Sequence, residues 1–197
     1  MKLAFIGDSL VSCTNVTLSD TWYDIASRKR GFEVVNNAAG GKLTLVMWGM
    51  FNMDVVDEKA DGVFICCGMN DILLDDPLSK VKENMAGTFD KAEKAGLDPI
   101  FIGLPPLTRI ESTEKGWQLP SEFEKHNEVL KEYRQWLKEE ADRRKLPILD
   151  YEQVLSEGEK AVGHSLFEDG LHPTPEGYRF IAEAFVDLLD KTRKEKA

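Results

Sequence analysis

The chain has 197 residues, 42% of them hydrophobic and 30% charged, and 25 basic against 35 acidic side chains leave a formal net charge of −10. A chain of this length suits one domain, residues 1–197, burying roughly 70% of its unfolded surface. The negative charge, without a dense Lys/Arg block, disfavours polyphosphate backbones and anionic membrane surfaces, so no nucleic-acid partner is expected.

Apolar runs of strand length alternate with amphipathic segments of helix length. Lys2 to Ile6 reads as a first strand, and a helix from a Ser19 cap to Arg30 follows it. Phe32 to Asn36 and Gly62 to Cys67 read as the next strands. Asp76-Pro77 reads as a cap followed by Pro at the first helical position, with Leu78, Val81, Met85, Phe89 and Ala92 on one face and Gly96 as the stop. Pro99 to Leu104 is a fourth strand. The longest helix is expected to open at Ser121, with Glu124 as its capping-box partner. Leu146 to Asp150 is a fifth strand, and a last helix starts at Thr174-Pro175 and runs through Leu189 before a fraying basic tail, Lys191 to Lys196.

This alternation predicts an α/β fold, a five-stranded parallel sheet with helices on both faces, because each crossover returns over the sheet in the right-handed sense. Ligands in such sheets bind beyond the carboxyl ends of the strands. Those ends are polar: Gly7-Asp8-Ser9-Leu10, Asn36-Asn37-Ala38-Ala39-Gly40-Gly41 and Gly68-Met69-Asn70-Asp71. Asp169-Gly170-Leu171-His172-Pro173 precedes the last helix and carries an acid and an imidazole toward the same edge.

Acyl transfer requires a hydroxyl nucleophile, an imidazole base, a carboxylate that fixes the tautomer, and donors for the oxyanion. Ser9, His172 and Asp169 fill the first three roles. The Ser9 amide, a glycine amide after the second strand and the Asn70 side chain are the candidate oxyanion donors.

These segments resemble the sequence blocks of the SGNH hydrolases, the GDSL esterase/lipase family, in the family's order and across the chain. The resemblance implies a three-layer α/β/α, flavodoxin-like fold, hydrolysis of carboxylic esters or thioesters, and no metal or organic cofactor. It gives Ser9, Asn70, Asp169 and His172 the roles above. The glycine block departs from the family pattern, because Asn36 leads to Gly41 but Lys42 and Leu43 replace the acid and Thr common there. Gly41 is assigned as the oxyanion amide, with Gly40 as the neighbouring candidate. Lys42 reads as an exposed lysine on a helix's first turn, or as a cation favouring an anionic substrate.

Other readings fit less of the sequence. Asp8, Asp71, Asp169 and His172 could ligate a metal in a phosphoesterase, but no paired Asp or His motif supports this, and Ser9 and Asn70 would then have no role. Asp8 and Asp71 read better as acceptors of loop backbone hydrogen bonds. A noncatalytic binding domain would not need the full reactive set. His126, inside the long helix, and His164, in a polar loop, read as ordinary surface or boundary residues. Gly163-His164-Ser165-Leu166-Phe167 imitates a nucleophile elbow but ends in Phe167, and Gly40-Gly41-Lys42 lacks the first glycine and the Ser/Thr of a phosphate loop.

Three cysteines, Cys13, Cys66 and Cys67, with the last two adjacent, suggest a reducing compartment. The N-terminal apolar run is too short for a signal peptide and no stretch reaches the ~18 apolar residues of a membrane span, so a cytoplasmic protein without membrane insertion is expected. The expected partner is a small-molecule ester. A short acyl or acetyl ester is favoured, with lysophospholipids and thioesters as alternatives. Residues 45–53 pack on the sheet or line an acyl pocket. Residues 105–120 are the longest unpatterned connection, a candidate lid whose Trp117 could contact a sugar or acyl chain.

Overall fold

A computed structural model describes residues 1–194. Its strands are β1 (Lys2–Gly7), β2 (Glu33–Asn36), β3 (Gly62–Cys66), β4 (Ile100–Leu104) and β5 (Ile148–Asp150). They form one parallel sheet in the order β2-β1-β3-β4-β5. The helices are α1 (Ser9–Ser12), α2 (Trp22–Arg30), α3 (Thr44–Phe51), α4 (Met69–Leu73), α5 (Leu78–Lys94), α6 (Glu111–Glu114), α7 (Phe123–Arg144), α8 (Tyr151–Val162) and α9 (Pro175–Lys194).

β3 and β4 are buried along their length, and so is β1 after Lys2. Strands covered on both faces read as continuous apolar runs, which is why they are visible in the sequence. α2, α8 and α9 pack together on one side of the sheet, and α3, α5 and α7 on the other. Under the first layer Trp22 meets Phe5 and Phe64 edge-on at 5.3 and 4.9 Å between ring centres, and Phe185 meets Phe101 at 5.1 Å. Such pairs add about 0.5–1.5 kcal/mol each beyond the area they bury.

The chain passes from β1 outward to β2 and then back across to β3, so the strand order reverses between β1 and β3. In an open α/β sheet a crevice opens beyond the carboxyl ends at such a point. Here Gly7 pairs with Cys66. Gly7 has φ +151°, and a Cβ on it would lie 1.8 Å from the Cys66 carbonyl oxygen, so only glycine lets β1 run this close to β3 as it turns into α1.

Several helix boundaries differ from the sequence expectation. Ser19 does not cap α2: residues Leu18–Asp20 form a 3₁₀ turn, closed by Thr21 N–H on the Leu18 carbonyl, and α2 begins at Trp22. Pro77 occupies the cap position of α5 with φ −55° and ψ 120°, so the helix opens at Leu78, one residue later than expected. No capping box forms at Ser121, because α7 opens at Phe123 without a side-chain cap. The sequence reading assigns no element to α8, which Asp150 caps by accepting from Gln153 N–H at 3.1 Å. α9 continues through Lys194 instead of fraying from Lys191, and Lys196 lies outside the described residues.

Candidate active site

Ser9 is the first residue of α1, directly beyond the carboxyl end of β1. Asp8 caps that turn, its Oδ1 accepting from Leu10 N–H at 3.0 Å. The Asp8 side chain is buried, and burial pushes its carboxyl up to about 7; the Leu10 bond works against this and the nearby Asp71 charge adds to it. Asp71 also holds a loop in place: its two carboxylate oxygens accept from Thr44 N–H at 3.1 Å each, and Oδ1 accepts from Thr44 Oγ1 at 2.6 Å, capping α3 across 27 residues of chain. Both acids are backbone acceptors, as their positions in the sequence suggest.

His172 reaches Ser9 from a loop at the other end of the chain. That loop is closed by Glu168 N–H on the His172 carbonyl at 2.9 Å and Thr174 N–H on the Leu166 carbonyl at 2.8 Å. His172 Nε2 lies 2.8 Å from Ser9 Oγ, and Nδ1 lies 2.7 Å from Asp169 Oδ2. Asp169 Oδ1 accepts the backbone N–H groups of His172 at 2.7 Å and Leu171 at 2.9 Å. Burial would raise the Asp169 carboxyl, but the His172 backbone N–H, the His172 ring and the Leu171 N–H together hold it below the usual carboxylate value. An ionised Asp169 can only accept, so Nδ1 carries the proton and Nε2 faces the Ser9 hydroxyl with its lone pair.

Asn15 clasps the two loops together. Its Nδ2 donates to Glu168 Oε2 at 2.8 Å and to the Pro173 carbonyl at 3.0 Å, and its Oδ1 accepts from Tyr178 OH at 2.9 Å.

The glycine loop lies between the Ser9 and Asn70 turns. Ala39 N–H donates to the Gly7 carbonyl at 3.1 Å, and on the other side the Lys42 carbonyl accepts from Asn70 Nδ2 at 3.2 Å and from the Cys67 thiol at 3.4 Å. Asn70 itself sits in the first turn of α4. Gly41 has φ +73°, the left-handed conformation that favours glycine, whereas Gly40 has ordinary φ and lies beside Thr14.

Lys42 differs from both sequence readings. It precedes α3, and its side chain is only 9% exposed; Nζ donates to the Asn37 carbonyl at 2.6 Å and pairs with Asp54, also 9% exposed, at 3.1 Å. Asp54 lies in the π-helical turn Asn52–Val56 that extends α3. Lys42 is therefore an internal tie across the glycine loop.

Residues 105–120 carry α6 and are fastened against the His172 loop. Arg109 N–H donates to the Gly170 carbonyl at 2.7 Å, and Trp117 Nε1 donates to Asp169 Oδ2 at 2.8 Å. A cleft of about 320 Å³ opens beside His172, between Thr14, Asn15, Lys115, Trp117 and Glu168. In residues 45–53, Met47 and Phe51 are fully buried, while Leu45, Trp48 and Met53 are exposed. Leu43, Leu45 and Trp48 flank a groove of about 850 Å³ between α3 and α5 that begins at Asp71. Nothing in the sequence pointed to the Trp117–Asp169 bond, which joins residues 52 apart.

His126 is not a surface or boundary residue: it is buried in α7, where Gln118 supplies its polar partner, whereas His164 pairs with Glu176 at the surface as expected. Ser165 is exposed and donates to Glu159, away from Ser9. Among the described residues, Asp8, Asp71, Asp169 and His172 do not converge as a ligand cluster; Asp75, Glu122 and His126 bring their ligand atoms within 4.8 Å of one another at a separate place. Also among the described residues, no helix is long and apolar enough to cross a membrane.

A sheet that reverses order at β1/β3, with a serine, an imidazole and a carboxylate in hydrogen-bonded sequence beyond it, defines an esterase/lipase-type hydrolase. The chain belongs to the GDSL-like lipase/acylhydrolase family, whose sequence model matches residues 5–180. It is 25% identical over 191 residues to a Bacillus subtilis protein described as the uncharacterized lipoprotein YqeF, covering 84% of this chain and 78% of that one. A lipolytic G-D-S-L family protein from Veillonella parvula superposes with TM-score 0.76 at 23% identity, covering 97% of this chain and 99% of the other. A mutant of Axe2, an acetyl-xylooligosaccharide esterase from Geobacillus stearmophilus, superposes with TM-score 0.75 at 20% identity, covering 95% and 93%. At such identities the two structures share the fold, while the activity class rests on the family match.

Proposed function

We propose that the protein hydrolyses short acyl or acetyl esters through an acyl-enzyme on Ser9, with residues 1–197 acting as one catalytic domain. The observation that carries this is the continuous line from Ser9 Oγ to His172 Nε2 at 2.8 Å and from His172 Nδ1 to Asp169 Oδ2 at 2.7 Å.

In this mechanism the Ser9 oxygen attacks the ester carbonyl as its proton passes to His172 Nε2, and the carbonyl π electrons move to the oxygen. Asp169 holds the tautomer and stabilises the imidazolium. The Ser9 and Gly41 amides and Asn70 Nδ2 donate to the oxyanion; one of the two Nδ2 hydrogens is directed by the Lys42 carbonyl, which orients the other. The tetrahedral intermediate collapses, the carbon–oxygen bond to the alcohol breaks, and the Nε2 proton leaves with the alkoxide. Water then repeats the sequence, deprotonated by His172, and frees the acid and Ser9.

Acetyl esters draw support from the acetyl-xylooligosaccharide esterase named above. A second reading, longer acyl chains or thioesters, is favoured by the groove of about 850 Å³ beside Leu43 and Trp48. Rates on p-nitrophenyl esters from acetate to decanoate separate the two: kcat/KM falling with chain length supports the first, rising supports the second. A fluorophosphonate is expected to label Ser9, and full ester hydrolysis by Ser9→Ala would remove the mechanism. A cytoplasmic setting belongs to the same proposal and is supported by three free thiols, Cys13, Cys66 and Cys67. Recovery of the native protein in the membrane fraction would overturn that part.

A further inference from the structure

We infer that Trp117 is a positioning residue for this hydrolysis, its indole N–H fixing the Asp169 carboxylate and, through it, the His172 imidazole. This rests on the serine-hydrolase reading above and adds a group to it.

Asp169 accepts four hydrogen bonds. Oδ1 takes the two backbone N–H groups of its own loop, while Oδ2 takes His172 Nδ1 at 2.7 Å and Trp117 Nε1 at 2.8 Å. The backbone bonds fix one edge of the carboxylate. Among the described residues, only the indole restrains, from outside the loop, the oxygen that aims the imidazole. The Trp117 ring also stands edge-on to the imidazole, with centres 5.0 Å apart and planes at 72°. Burial does not explain this placement, because Trp117 is 46% exposed.

The indole is held by its own loop. The next residue, Gln118, is buried, its Nε2 donating to Thr108 Oγ1 and Ser112 Oγ at 2.8 Å each and its Oε1 bonded to His126 Nδ1 at 2.8 Å. Trp117 N–H donates to the Ser112 carbonyl at 3.0 Å. Ser112 in turn abuts the His172 loop, where a Cβ on Gly170 would come within 2.3 Å of the Ser112 nitrogen. An exposed tryptophan is thus carried on a buried polar framework that ends at the carboxylate, an arrangement that costs little ordering entropy when substrate binds.

Replacing Trp117 with Phe keeps a ring beside His172 and removes the N–H. Without that donor, the charge on Oδ2 falls more fully on the imidazole and favours its protonated form, so the acid limb of kcat/KM moves to higher pH. The other titratable groups around the triad are Asp8, directly before Ser9, and Cys13 at the end of α1, Glu168 on the His172 loop, Lys115 on the Trp117 loop, and Tyr178 of α9, and the substitution leaves all five in place. For Trp117→Phe, kcat/KM on p-nitrophenyl acetate is expected to fall about tenfold, close to the lower edge of what one hydrogen bond to a charged group is worth. The loss should sit in kcat, with the acid limb up by about half a unit. Gln118→Leu, which loosens the framework without touching the triad, should reproduce both effects in part.

The ¹H–¹⁵N titration of His172, assigned by comparison with His172→Asn, gives a readout that needs no turnover. If Trp117→Phe raises the His172 midpoint, the inference stands even for a protein that hydrolyses none of the esters tried, in which case only the proposed substrate class fails. If the midpoint stays within 0.1 unit, the inference is overturned. A loss confined to KM would also overturn it, assigning Trp117 to substrate contact instead.

Discussion

The Lys42 carbonyl accepts a hydrogen bond from Asn70 Nδ2 at 3.2 Å, tying the glycine loop after β2 to the first turn after β3. The bond orients an amide that the mechanism needs as an oxyanion donor. Asn70→Ala is expected to lower kcat by about 10²–10³ with little change in KM, the cost of one lost donor. Steady-state kinetics on p-nitrophenyl acetate, with folding checked by circular dichroism, measure this; a kcat within threefold of wild type would exclude Asn70 as a donor.

The Lys42–Asp54 pair should matter more for stability than surface pairs do, because both side chains are only 9% exposed. Lys42→Met leaves Asp54 buried and unpaired, and a loss of about 3 kcal/mol is expected in urea unfolding. Lys42→Met with Asp54→Leu removes the orphaned charge and should recover most of that loss. Equal stability of the single and double variants would show that the pair is not the tie described.

Gly68 turns from β3 into α4 with φ +113°, and a Cβ there would lie 2.7 Å from the Tyr133 ring, whose hydroxyl donates to the Cys67 carbonyl at 2.8 Å. Gly68→Ala is expected to cost about 1–3 kcal/mol in backbone strain alone. Because the strain falls two residues before Asn70, kcat should drop as well. A variant with wild-type melting temperature and kcat would contradict the close packing.

Asp8 makes stability depend on pH in a defined direction. Its folded carboxyl is held at about 7, against about 3.9 in an unfolded chain. Between those values the folded state binds more protons, so the contribution present at acid pH is lost as pH rises through about 7. Asp8→Asn keeps an acceptor for Leu10 N–H and removes the ionisation. It should melt above wild type at pH 8, with the gap closing toward pH 4. Parallel melting curves across that range would rule out the buried-acid account.

The strands were legible because β1, β3 and β4 are covered on both faces, and burial on both faces writes an unbroken apolar run. Ser9, Asp169 and His172 were legible because each sits where a strand or turn opens onto the sheet edge with no packing role. Helix starts were less so: Ser19, Asp76 and Ser121 all carry cap chemistry, but the local turns at Leu18–Asp20 and Pro77 decide the first helical residue. Lys42 was misread because its partner Asp54 is twelve residues on and brought back only by the π-helical turn. The Trp117–Asp169 bond leaves no local trace at all, since it depends on how Gln118 seats the loop.

The Asn15 clasp has a consequence for how the enzyme comes into being. In translation order the Ser9 hydroxyl precedes the His172 imidazole that faces it by 163 residues. Asn15, only six residues after Ser9, waits as long for Glu168, Pro173 and Tyr178. A nascent chain that has not yet reached residue 172 therefore carries the serine without its imidazole, and the proposed chemistry has to wait for the two distant loops to be clasped.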